Sequence, residues 1–151
     1  MMNDRQQETV SVLNHLIEVC EDGCQGYRQA AEHVDHTELS RTFSQFSQQR
    51  AQFAAELRDQ VRRMGGEPEE DGTVSGAIHR GWISLKSALA GDDLEAVVAE
   101  CERGEDHALG EYKSALDNSE LSSDAREIIQ KQCDGIRQGH DQMRSLEVRL
   151  D

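Results

Sequence analysis

Apolar residues recur at alternating intervals of four and three in four long segments, and this spacing is the strongest constraint on the fold. In the first segment the repeat is unbroken over Leu13, Ile17, Cys20, Cys24, Tyr27, Ala31 and Val34. The other three stripes run through residues 39–64, 94–116 and 125–150. Because this interval places side chains on one face of an α-helix, the pattern predicts four amphipathic helices that pack on each other through their apolar faces.

Short polar breaks divide the four helices into two pairs. Residues 35–37 separate the first two helices, with Thr37 as the predicted N-cap, and residues 117–119 separate the last two, with Ser122 or Ser123 as the predicted cap. Connections this short predict two antiparallel helical hairpins.

The hairpins are joined by residues 65–92, a connection too long for a turn. Gly65-Gly66 ends the second helix, and the chain must then return along the bundle. The segment from Ser75 to Ala90 predicts a short fifth helix, with a buried face formed by Ile78, Trp82, Leu85 and Leu89. Gly91-Asp92-Asp93 ends this helix and caps the next one. We therefore expect a single all-α domain over residues 1–151: a four-helix bundle with a long crossover.

The chain is acidic, with 30 Asp and Glu against 16 Lys and Arg and a net charge of −14. Charge of this sign repels phosphate groups, so we expect no nucleic-acid partner and no anionic membrane surface. The first residues carry no leader pattern, and no apolar run approaches the roughly 18 residues of a membrane-spanning helix. These features predict a cytoplasmic protein with reduced thiols.

Short motifs spread over nearly the whole chain carry a resemblance to known proteins. They are Asp22-Gly23-x-x-Gly26-Tyr27-Arg28-x-Ala30-Ala31-Glu32, Gly65-Gly66-x-Pro68, His79-Arg80-Gly81-Trp82-x-x-Leu85-Lys86, Glu102-x-Gly104-Glu105-Asp106 and His140-Asp141. With the two hairpins and the crossover, they resemble the ferritin-like superfamily, and in particular an uncharacterised bacterial family of four-helix-bundle proteins. The resemblance implies a ferritin-like fold and often a small assembly, but no established reaction.

The two hairpins also show a weak internal repeat. When Tyr27 is laid on Tyr112, Cys20 falls on Glu105 and Ala30 on Ala115. Duplication of one hairpin and coincidence between helical sequences both account for these matches.

The resemblance implies a ligand pattern that this chain does not complete. Di-iron members use a Glu from each of two helices and a Glu-x-x-His pair from each of the other two. At these positions the chain has Cys20, then Gln49-Arg50-Ala51-Gln52, then Glu105, and finally His140 preceded by Arg137. Only Glu105 and His140 match. We therefore expect no di-iron centre, no oxidase or peroxidase activity and no cofactor, with iron or another metal ion as the alternative.

Glu105 lies on an apolar stripe, and so does Arg50 on another helix. Because a buried carboxylate needs a partner, we predict that these two side chains form a core ion pair. The neighbours expected to donate or accept hydrogen bonds around it are Gln49, Gln132 and His140. The alternative is a mononuclear metal site formed by Glu102, Glu105 and His140, against which the repulsion between Arg50 and a metal ion argues.

Cys20 and Cys24 lie four residues apart on one stripe. Their β-carbons would be about 5–6 Å apart in a regular helix, whereas a disulfide needs about 3.5–4.5 Å. Packing as small apolar side chains is one interpretation. Chelation of a soft ion such as Cu(I), with Cys101 and Cys133 as further ligands, is another, and redox sensing is a third.

The remaining signals concern partners and function class. Trp82 either covers the flank of the bundle or forms a subunit contact, which would make the chain a homodimer through the crossover helix. Nucleotide-binding and serine-hydrolase motifs are absent from the sequence. The sequence therefore predicts a non-enzymatic structural or interaction protein, with a metal-binding protein, through the Glu/His or the Cys residues, as the alternative.

Overall fold

The computed structural model describes residues 2–69, 82 and 84–150, and within them the chain forms five helices and no strand. The helices are α1 (Asp4–His33), α2 (Thr37–Arg63), α3 (Leu85–Ala90), α4 (Leu94–Leu116) and α5 (Ser123–Leu150). The predicted all-α bundle is confirmed. None of the described helices is long and apolar enough to cross a membrane.

The helix ends agree with the predicted breaks except at the start of α2. There His36, and not Thr37, is the N-cap, and its Nδ1 accepts a hydrogen bond from Leu39 N at 3.1 Å. His36 has an extended backbone while Thr37 is already helical, so only the His36 ring can reach back over the first turn. Asp93 caps α4 as predicted, with its carboxylate accepting from Glu95 N at 3.0 Å.

Contacts between helices define their directions. Cys20 of α1 contacts Tyr112 of α4, and Tyr27, further along α1, contacts Glu105, which comes earlier in α4. The two helices α1 and α4 therefore run in opposite directions. Both hairpins, α1 with α2 and α4 with α5, are also closely packed. The bundle therefore has the up-down-down-up order that a single long crossover requires.

The described part of the crossover contains Trp82 and α3. Residues 75–81 of the predicted fifth helix lie outside the described residues, and helix is present from Leu85. Trp82 and Leu85 are buried as predicted, while Leu89 is half-buried. A β-carbon on Gly26 or Gly104 would lie within 2.5 Å of the Trp82 ring. These two helical glycines therefore form the slot between α1 and α4 that the indole fills.

The apolar core consists of two clusters, one at each end of the bundle. The first cluster includes Val10, Ala54 and Ile136, and the second cluster includes Tyr27, Phe43 and Trp82. The boundary between them falls at Arg50 of α2 and Glu105 of α4, both buried. A charged layer thus divides the interior of the bundle.

Candidate functional site

Three buried side chains from three helices meet at this boundary, and we call Tyr27, Arg50 and Glu105 the ionic cluster. Glu105 Oε1 accepts hydrogen bonds from Arg50 Nη2 and, at 2.5 Å, from the Tyr27 hydroxyl. Arg50 is 1% exposed and the other two are 0% exposed. The predicted partners Arg50 and Glu105 are therefore in direct contact, and Tyr27 joins them from α1.

The surroundings of the ionic cluster are shaped to admit a long cation. A β-carbon on Gly23 would lie 3.0 Å from Arg50 Nη1, so glycine at this position leaves room for the guanidinium. Arg50 Cζ lies 5.6 Å from the centre of the Tyr27 ring, within the range of a cation–π interaction. Tyr27 is held in turn by edge contacts with Phe46 and Trp82, at centroid distances of 5.2 and 4.8 Å.

Hydrogen bonding around the ion pair differs from the prediction. Gln49, Gln132 and His140 do not bond to Arg50 or Glu105, because Gln132 pairs with Tyr112 and His140 with Asp106. As a result Arg50 Nε, Glu105 Oε2 and Gln49 Oε1 are buried without a partner among the described residues. The apolar stripes show which face of its own helix each residue occupies, but they do not show which residues of different helices lie close together.

Burial and charge keep the protons of Tyr27 and Arg50 in place at neutral pH. Burial, followed by the negative charge of Glu105, raises the pKa of Tyr27 well above its ordinary value. Burial alone would lower the pKa of Arg50, but attraction to Glu105 and Tyr27 outweighs it and raises this pKa. The cluster thus pairs the guanidinium of Arg50 with the carboxylate of Glu105, to which the Tyr27 phenol also donates.

A second set of buried side chains surrounds the other matched tyrosine, and we call Cys20, Tyr112 and Gln132 the neutral cluster. Tyr112 donates a hydrogen bond to Gln132 Oε1 at 2.7 Å, and its oxygen lies 3.1 Å from Cys20 Sγ. Gln132 Nε2 donates to Phe53 O at 3.2 Å and to Glu56 Oε1 at 3.0 Å. Burial raises the pKa of Cys20 to about 11, so its thiol stays protonated at neutral pH.

The two clusters are reciprocal. The internal repeat matches Tyr27 with Tyr112 and Cys20 with Glu105. In the structure each tyrosine contacts the matched residue of the other hairpin, Tyr27 with Glu105 and Tyr112 with Cys20. Duplication of one hairpin would produce this cross-matching, and so would antiparallel packing of α1 against α4. Tyr27 lies seven residues after Cys20, and Tyr112 lies seven residues after Glu105. This equal spacing is a sequence signal that could have indicated the contacts of both tyrosines.

The four cysteines are free and buried. Cys24 Sγ lies 3.5 Å from Ser47 Oγ and 3.4 Å from Arg28 Nη2. Cys20 and Cys133 belong to one apolar cluster and Cys101 to the other, so the four thiols do not lie in a single cluster. Among the described residues, the group of side chains spaced for a metal ion contains no cysteine.

That group consists of Glu102, Asp106 and His140, and we call it the surface triad. One ligand atom from each residue lies within 4.8 Å of the other two. The structure therefore brings together two of the three residues predicted for a mononuclear site, Glu102 and His140. Glu105 instead points to Arg50, and Asp106, which the sequence argument did not select, stands beside His140.

A di-iron centre does not fit the residues of the bundle interior. The guanidinium of Arg50 is bonded to Glu105, the one carboxylate that matches the di-iron ligand pattern. Cys20 is a protonated thiol bonded to Tyr112, and His140 pairs with Asp106. A cation held against the carboxylate would repel a metal ion there.

These features define an all-α bundle whose interior contains a buried ion pair between Arg50 and Glu105. The chain matches a family model described as a domain of unknown function, DUF2383, over residues 8–118. It belongs to this family. A search of curated proteins finds no match to the chain.

Proposed function

We propose that this chain is a non-enzymatic member of the ferritin-like superfamily, in which the ionic cluster replaces the metal centre and the bundle has a structural or protein-binding role. The observation that carries the proposal is the bond between Arg50 and Glu105, both fully buried. A carboxylate neutralised in this way is not available to a metal ion, and removal of Arg50 alone would leave an uncompensated charge in the core.

The up-down-down-up order and the reciprocal tyrosines support the superfamily assignment. The helix order follows from two hairpins joined by one long connection, which is the arrangement of ferritin-like bundles. The tyrosines add contacts at equivalent positions of the two hairpins. Trp82 packs on Tyr27 with ring centroids 4.8 Å apart and fills the slot between α1 and α4 beside Gly26 and Gly104, so the crossover covers this flank of the bundle.

Metal analysis of protein purified without chelators tests the non-enzymatic assignment. We expect iron content to be far below one atom per chain and unchanged in Glu105→Gln. Glu100→Gln is the matched control, since Glu100 is the other buried acidic residue of α4 and pairs with Arg103 at 2.5 Å. Stoichiometric iron that is lost in Glu105→Gln and kept in Glu100→Gln would overturn the proposal.

For the protein-binding role, a homodimer through the crossover near Trp82 is the form we propose. The Trp82 ring is 6% exposed within its own chain, so the contact would use neighbouring surface instead of the ring. A groove of about 720 Å³ between α3 and α4 is lined mainly by small side chains, including Ser87, Ala88 and Ala99. Such a surface allows close approach of a helix from a second copy.

Light scattering after size-exclusion chromatography tests the dimer. We expect a dimer for the natural chain and a monomer for Ala99→Arg, which puts a large charged side chain into the groove. Ser114→Arg adds the same side chain at an exposed position near the other end of α4 and should leave the dimer intact. A natural chain that is monomeric at high micromolar concentration would end this form of the proposal.

A further inference from the structure

We propose that the surface triad binds a first-row divalent cation such as Zn²⁺, at a site separate from the ionic cluster. Glu102 and Asp106 are four residues apart on α4 and so share one face of that helix. His140 reaches them from α5, with its Nε2 2.7 Å from Asp106 Oδ1. An ion at this point would link the two helices of the second hairpin.

The spacing of the three ligand atoms suits a shared ion. They lie within 4.8 Å of one another. Ligands that bind one zinc ion at about 2.1 Å are at most about 4.2 Å apart. Small rotations of the three side chains would therefore close the site without moving either helix.

The three side chains differ in exposure in a way that fits an open site. His140 is 14% exposed and Glu102 20% exposed, so packing restricts both, while Asp106 is 61% exposed and faces water. An ion could enter from the Asp106 side and complete its coordination with water, because three protein ligands leave further positions free.

The donor types select among cations. The two carboxylates contribute two negative charges, which a divalent ion neutralises, and the imidazole contributes a nitrogen lone pair. Imidazole favours zinc, iron, nickel and copper over magnesium and calcium, which prefer oxygen ligands alone. The acidic surface of the chain, with its net charge of −14, raises the local concentration of any cation.

The side chain of Arg144 competes with a metal ion for Glu102. Arg144 Nε lies 3.5 Å from Glu102 Oε1, but the Arg144 side chain is 68% exposed. It can therefore turn into water when Glu102 binds a metal. This competition makes a directional prediction: Arg144→Gln should bind Zn²⁺ more tightly than the natural chain does.

Calorimetric titration of the metal-stripped full chain with Zn²⁺ tests the proposal. We expect one Zn²⁺ per chain, a higher melting temperature on binding, and at least about tenfold weaker binding in both His140→Ala and Asp106→Asn, as loss of a ligand costs no less than loss of an outer-shell contact. The matched control is His15→Ala, since His15 Nε2 lies at the same 2.7 Å from a surface carboxylate, that of Glu111. This control should bind Zn²⁺ as the natural chain does.

The outcomes separate this site from the ionic cluster. Absence of Zn²⁺ binding, equal weakening in His15→Ala, or equally tight Mg²⁺ binding would each overturn the surface site and leave the proposed function standing. Binding that is lost in Glu105→Gln but kept in Asp106→Asn would place the ion in the core and overturn both proposals. Binding that Glu105→Gln retains and Asp106→Asn weakens supports both.

Discussion

The ionic and neutral clusters occupy matched places in the two hairpins, yet they satisfy a buried tyrosine in different ways. Tyr27 donates to a charged carboxylate that is also bonded to Arg50, whereas Tyr112 donates to the amide of Gln132 and contacts the thiol of Cys20. One cluster holds a full positive and a full negative charge away from water. The other buries only neutral groups.

This difference determines how each cluster responds to change. Breaking a buried ion pair leaves an isolated charge in an apolar interior, which costs far more than losing a neutral hydrogen bond. Replacing both charged partners removes that penalty. The ionic cluster therefore requires its two charges together, while the neutral cluster can lose one member at a smaller cost.

Among the substitutions that test the difference between the clusters, Arg50→Met should have the largest effect. It leaves Glu105 charged and unpaired in the core, so we expect the free energy of unfolding to fall by about 3–5 kcal/mol. Urea denaturation followed by circular dichroism measures the loss. The double variant Arg50→Met with Glu105→Leu should recover most of it, and a single variant as stable as the natural chain would contradict the role given to the pair.

Alkaline pH tests the neutral cluster. The folded chain keeps the Cys20 proton up to a pKa of about 11, whereas the unfolded chain releases it near 9.0. The unfolded state is then favoured as pH rises, and stability present below pH 9 is lost between pH 9 and 11, by roughly 3 kcal/mol for this group.

Denaturation midpoints measured between pH 9 and pH 11 give the change in stability with pH. Cys101, Cys133 and both tyrosines also have raised pKa values and contribute to it in the same direction. Cys20→Ala should therefore show a shallower fall than the natural chain. If stability falls equally steeply with pH in the two proteins, the titration of Cys20 does not contribute to the loss.

Removing the tyrosine hydroxyl from each cluster measures how much each hydrogen bond contributes to stability. Tyr27→Phe loses a bond to a charged acceptor, for which we expect a cost of about 1.5–3 kcal/mol, and Tyr112→Phe loses a bond to a neutral amide, for which we expect about 0.5–1.5 kcal/mol. Both rings are 0% exposed, so the two substitutions are closely matched. An equal or reversed order of the two losses, measured by chemical denaturation, would show that the charge of Glu105 does not set the difference.

The smallest effect concerns thiol reactivity. Cys20, Cys101 and Cys133 are 0% exposed and Cys24 is 4% exposed, beside Arg28. A colorimetric thiol reagent should modify Cys24 first and the other three only on unfolding. Cys24→Ser should remove the early phase, and rapid reaction of Cys20 in the folded chain would contradict its buried, protonated state.

Much of the fold was predictable from the spacing of apolar residues. The stripes place Leu13, Phe43, Tyr112 and Ile129 in the core, where all four are 0% exposed. Arg50 and Glu105 could be predicted as partners because each breaks an apolar stripe and their charges are opposite. The cap at His36 was not predictable, since residue preference favours Thr37 and the local backbone decides otherwise.

The surface triad shows the limit of reading ligands from sequence. Glu105 and His140 match a known ligand pattern, whereas Asp106 is one residue away from Glu105 and faces another side of α4. A step of one residue turns a helical side chain by about 100°. Whether Asp106 or Glu105 meets His140 therefore depends on how α4 and α5 are rotated against each other.

The sequence by itself determined the helices, their pairing into hairpins and the identity of the two buried charges, because these follow from periodicity, short connections and the cost of burying an unpaired ion. Only the tertiary structure decided which oxygen of Glu105 is bonded, that Tyr27 completes the ionic cluster, that Trp82 fills a slot made by Gly26 and Gly104, and that Asp106 faces His140. The physical reason is that these contacts depend on the rotation and close approach of helices far apart in the chain, which no local pattern encodes.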